Sequence, residues 1–99
     1  MLFEIEAREL YLFAKNDRTL YCSYLEPIEQ NFIKKAKKGT FNADKACGAY
    51  VVALRDAAKR YCRMFGGDWM EVFPAECRRT CAKMFVDKFV NEMPYLLEA

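Results

Sequence analysis

Cys77 and Cys81 stand four residues apart in a stretch of helical periodicity, which places both sulfurs on one face. Paired thiolates of this kind can begin a zinc site. Such a site takes four ligands, and in a chain without histidine the other two must be cysteines or carboxylates. The spacing is not that of a zinc knuckle, and Cys22, Cys47 and Cys62 are scattered along the chain. An odd count of five cysteines fits a reducing compartment, where free thiols pack as small apolar groups. A disulfide is the remaining alternative, and no metal or cofactor is expected.

The absence of histidine also removes the commonest general base near neutral pH. Ser23 is the sole serine, so neither a Ser/His nor a Cys/His nucleophile pair can be assembled. Carboxylates recur closely at Glu4 with Glu6 and at Glu26 with Glu29, in solvent-like, charged surroundings. No phosphate-binding loop occurs, and Gly66-Gly67 reads as a helix stop. The chain is therefore expected not to be an enzyme, with no catalytic residues assigned.

These residues sit on elements that periodicity outlines. With 99 residues the chain makes one domain, residues 1–99, and 54% apolar content sets it apart from disordered chains. Residues 1–15 satisfy both an alternating and a helical repeat, so strand and helix stay open there. Asn16-Asp17 is a turn and helix cap, followed by a helical pattern over 18–38 that Pro27 must kink or split. Gly39 stops it, and Asn42 caps a second helix over 43–65. Pro74 opens a third helix that Pro94 ends near residue 92. The fold class is all-α: a compact bundle of three main helices with a short N-terminal segment, strand or helix, packed across it. Its expected core is Leu20, Tyr24, Ile28, Phe32, Tyr50, Leu54, Tyr61, Phe65, Cys77, Cys81, Phe85 and Phe89.

Apolar side chains exceed what three helices need. Val52, Trp69, Val86, Val90, Tyr95, Leu96 and Leu97 fall outside the core stripes and form a candidate protein interface. The uncharged run Ala46–Leu54, with Gly48 permitting close backbone approach, suits either a two-fold contact between copies or the middle of the monomer. Overall charge is only +2, but residues 34–83 carry 12 basic and 5 acidic groups, a local balance of +7. Lys34, Lys35, Lys37, Lys38, Arg55, Lys59, Arg60, Arg63, Arg78 and Arg79 form a candidate basic surface for nucleic acid. No apolar run reaches the ~18–20 residues of a membrane span, and the opening residues lack the pattern of a secretion signal, so no membrane partner and a cytoplasmic location are expected.

Several short motifs recur together: Glu9-Leu10-Tyr11, Asn16-Asp17, Leu20-Tyr21, Pro27-Ile28, Asn31 and Lys38-Gly39-Thr40-Phe41. Ala57-Ala58-Lys59, Tyr61, Phe65-Gly66 and Arg78-Arg79 continue the pattern. Across roughly residues 9–85 the chain resembles small helical proteins encoded in bacteriophage and prophage genomes. That resemblance implies an all-helical fold and a phage origin, and brings no catalytic set. The function expected is a non-enzymatic accessory protein that binds a host or phage protein in the cytoplasm of an infected bacterium. Such binding would serve host takeover or anti-defence. A nucleic-acid-binding helical protein is the alternative.

Overall fold

The computed structural model describes residues 3–98, and every regular element among them is helical. The N-terminal segment is a helix, α1 (Glu4–Asn16), with Ala7, Leu10 and Ala14 inward. A strand would put Ile5 and Ala7 on one face; instead Ile5 is 80% exposed while Ala7 is sealed. Asp17 separates α1 from α2 (Arg18–Leu20), and its Oδ1 accepts the Leu20 N–H at 3.0 Å.

The expected 18–38 helix is a composite. After α2 comes a π-helical turn over Tyr21–Leu25, closed by the Glu26 N–H donating to the Tyr21 carbonyl, and then α3 (Glu26–Lys37). Pro27 supplies the cause: it has no N–H for the Ser23 carbonyl, and its ring clashes with that carbonyl in an ordinary helical turn. The wider turn makes room for the ring. It also adds a residue to the repeat, so Leu25 rather than Tyr24 follows Leu20 into the core. Tyr24 is consequently exposed, against the periodic expectation, and Ile28 is only half-buried. A Schellman arrangement ends α3, with the Gly39 N–H reaching the Ala36 carbonyl and the Thr40 N–H reaching Lys35.

Helix α4 spans Ala43–Phe65, and Asn42 caps it by accepting the Lys45 N–H at 3.1 Å. Beyond Gly66-Gly67 lies a short helix absent from the sequence reading, α5 (Trp69–Val72), capped by Asp68. Pro74 precedes rather than begins α6 (Ala75–Glu98), its carbonyl accepting the Arg78 N–H. This last helix runs through Pro94 instead of ending before it. Pro94 leaves only the Val90 carbonyl without its helical partner, and Val90 is exposed, so water can satisfy it.

Helix α6 is central, with α1, α3 and α4 all packed on it. Rings mark the seams: Tyr11 of α1 lies 4.5 Å from Phe85, Tyr50 of α4 stacks on Phe85 at 5.0 Å, and Phe32 of α3 meets Phe89 at 5.8 Å. Cys77 and Cys81 are sealed in this core as free thiols. Burial pushes Cys77 up to about 11 and Cys81 further still, so both pack as neutral, apolar groups. The molecule measures 42 × 28 × 17 Å, so its thin dimension holds about two layers of helix at 8–10 Å spacing.

Candidate functional site

At the C-terminal end of α4 the apolar stripe outruns the helices that cover it. Phe65, expected in the core, is 65% exposed. It is nevertheless held, by Tyr61 with ring centroids 4.8 Å apart and edge-on by Phe13 of α1 at 6.3 Å. Tyr61, itself half-buried, is fixed by its hydroxyl, which donates to the Glu9 carboxylate, and by an edge-on contact to the sealed Phe73 at 5.0 Å. Leu12 of α1, Met64 of α4 and Met70 of α5 are exposed around the same end. None of these four exposed residues was read as a surface from the sequence. Phe65 continues the α4 stripe, and periodicity carries no sign of where the covering helix stops.

Cations gather on another face of the same end of α4. A groove of about 630 Å³ is lined by Lys59, Arg63, Trp69 and Met70 among others. The Lys59 ammonium and the Arg78 guanidinium lie 5.1 and 5.0 Å from the centre of the half-buried Trp69 ring. Arg60 reaches back to Asp17, its Nε donating to Oδ2 at 2.7 Å.

The structure separates the candidate residues that sequence grouped together. Val90 and Leu97 share a stripe on the last turns of α6, with Tyr95 exposed beside them and Leu96 half-buried. Val52 stands in the middle of α4, exposed with Gly48, while the rest of the Ala46–Leu54 run is buried or half-buried. Trp69 lies in α5, before the start of α6, and Val90 stands roughly 22 Å along α6 from that start at 1.5 Å per residue. Val86 is corrected: it is only 4% exposed, because three helices packed on α6 cover a wide arc of its surface.

The basic set divides as well. Lys34, Lys35, Lys37 and Lys38 end α3 beside the start of α4, where Phe32 meets Phe41 at 5.6 Å. Arg55, Lys59 and Arg63 follow on one face of the second half of α4, about 18 Å or more of helix further along. Arg79 is exposed on α6. Arg78 leaves the set because it is buried, its Nε donating to the Phe73 carbonyl at 3.1 Å and so bracing the turn into α6. Arg60 is engaged by Asp17.

The arrangement defines a small all-α domain in which exposed Phe65, packed on Tyr61 and Phe13, lies at the α1/α4 end. Among the described residues no group of three or more cysteines and carboxylates gathers in a way that could hold a metal ion, and no helix is long and apolar enough to cross a membrane. No protein-family model matches the chain, and no curated protein or solved structure shows significant similarity to it.

Proposed function

We propose that this chain is a non-enzymatic accessory protein of bacteriophage type that docks on another protein, of the phage or of its bacterial host, and so blocks a host process or an antiviral defence. One observation carries the reading: Phe65 is largely exposed yet packed against Tyr61 and Phe13. An aromatic side chain ordered before binding loses little freedom on contact, which is the character of an interface anchor. Exposed Leu12 and Met64 are sequence neighbours of Phe13 and Phe65, and Lys59 and Arg63, in a groove with Trp69 and Met70 on another face of α4, favour a partner with acidic groups.

The test is comparative capture from a bacterial lysate by the native chain and by Phe65→Asp. Because Phe65 is exposed, the variant should keep its helical spectrum. The reading expects an acidic protein retained by the native chain and lost by the variant. Equal capture by both, or capture of nothing, overturns it.

A second reading rests on Arg55, Lys59 and Arg63, whose four-residue spacing presents three cations along one line of α4. Such a line suits a phosphate backbone. Retardation of DNA or RNA that weakens steeply with salt supports it, and no shift at about 50 mM salt removes it.

A further inference from the structure

A second feature lies apart from that docking surface, in a cleft among α1, the π turn, α3, α4 and α6. It encloses about 380 Å³, within the range of small-molecule sites. Its inner wall is aromatic, formed by Tyr50 and Phe85 stacked with 12° between their planes. The π turn contributes Tyr21 and Leu25 to its lining, and turns of this kind recur at functional sites.

The rim carries charges that lack proper partners. Lys15 of α1, 5.8 Å from the centre of the Tyr11 ring, and Lys88 of α6 both line this rim, and Lys88 holds the Lys15 ammonium below the usual lysine range. Lys88 finds Glu92 only at 4.0 Å, and among the described residues Lys15 has no acidic group within that distance. Across the cleft Glu29 is half-buried with no cation inside the same limit among the described residues. Burial, aided by the nearby Glu92, raises its carboxyl above the usual carboxylate range.

We propose that this cleft binds a small aromatic zwitterion, its anionic group between Lys15 and Lys88, its ammonium beside Glu29 and Glu92, and its ring against the Tyr50 and Phe85 wall. An anion between the two lysines replaces one repulsion with two attractions. An ammonium beside Glu29 does the same for a carboxylate that has lost water. The four charged side chains sum to zero, so a simple anion gains at the lysines and loses at the glutamates. A ligand bearing both signs gains at each. Aromatic α-amino acids are the plainest members of this class.

The experiment follows backbone amide shifts of the full ¹⁵N-labelled chain during titration with L-tryptophan and L-phenylalanine. Indole-3-propionate, lacking the amine, and tryptamine, lacking the carboxylate, are the controls. Saturable shifts confined to the cleft are expected, with each singly charged analogue about tenfold weaker than L-tryptophan, the effect of one lost charge-assisted hydrogen bond. Lys15→Met should weaken L-tryptophan about tenfold without weakening tryptamine, and Glu29→Gln should do the same without weakening indole-3-propionate. Lys15 is exposed and Gln matches Glu in shape, so both variants retain the fold, which circular dichroism checks. No cleft shifts with either amino acid at about 10 mM, an analogue that binds as well as L-tryptophan, or variants that bind like the native chain would each overturn the assignment.

Discussion

Asp17 ties the start of α2 to the side of α4, and its two oxygens make separable contributions. Oδ1 caps α2 through the Leu20 N–H at 3.0 Å, and Oδ2 takes the Arg60 Nε at 2.7 Å. A lost cap costs about 1 kcal/mol. The ion pair is partly exposed, with Arg60 at 39% and Asp17 at 13%, so solvent screening holds it to about 0.5–1 kcal/mol. Asp17→Ala removes both, about 1.5–2 kcal/mol, which lowers the thermal midpoint of a domain this size by roughly 10 °C. Asp17→Asn keeps a capping oxygen and loses only the ion pair, so its midpoint should fall by about 5 °C, as should that of Arg60→Met. The double variant Asp17→Asn/Arg60→Met should match either single variant, because the same pair is broken only once. Thermal melts monitored at 222 nm measure all four. If Asn is as harmful as Ala, or if the two single losses add, the division of labour is wrong.

Acid provides an independent check with a definite sign. The Leu20 N–H first, and then Arg60, hold the Asp17 carboxyl below its usual value. A depressed folded value means that this stabilisation is complete above the ordinary aspartate range and is lost as pH falls through the depressed value. The stability gap between the native chain and Asp17→Asn should thus stay constant near neutrality and shrink in acid. The gap between Asn and Ala, which contains no titrating group, should persist.

Four further outcomes are expected. A Cβ at Gly48 meets nothing within 4 Å, so Gly48→Ala should stabilise α4 by about 0.5–1 kcal/mol in denaturant titration; a loss would reveal a second chain pressed against that face. At Gly67, φ is +97° and a Cβ would stand 2.9 Å from Val72 Cγ2, so Gly67→Ala should cost about 1–3 kcal/mol in the same assay. With an aromatic disulfide reagent, Cys22 should react first and Cys47 more slowly, while Cys62, Cys77 and Cys81 react only on unfolding; three fast thiols would contradict the packing. Pro94→Ala restores a donor for the Val90 carbonyl and should raise both helicity and stability, by about 1 kcal/mol; a fall would mean that the ring packs against something.

Caps and glycine stops are legible in the sequence because their physics is local, whereas Pro94, equally local, does not end α6. The bounds of α4 follow from Asn42, whose side chain satisfies a free N–H, and from Gly66, whose positive φ of 92° no larger residue adopts easily. Asp17 and Gly39 are legible for the same reasons. Pro27 shows the limit. Its cost is plain in the sequence, but a proline can be met by a kink, a break or a π turn, and only the last moves the inward position from Tyr24 to Leu25. The choice depends on which register buries Leu25 and Phe32 together against α4 and α6, and that is settled between helices rather than within one.

Surface residues are harder to foresee for a related reason. A helix repeat states which residues share a face, not whether another element covers that face. Phe65 and Val86 both extend apolar stripes, yet Phe65 projects past its neighbours while Val86 lies beneath three of them. A body 17 Å thick has little interior relative to its perimeter, so apolar residues at helix ends emerge even when the middle is well packed. Exposure at an end is therefore expected of this shape and is weak evidence of function by itself. What distinguishes Phe65 from Tyr95, which is 75% exposed, is that Tyr61 and Phe13 already fix its ring. Replacing Phe13 with alanine should accordingly weaken partner capture without touching the exposed surface directly, and undiminished capture would show that ordering of Phe65 has no part in docking.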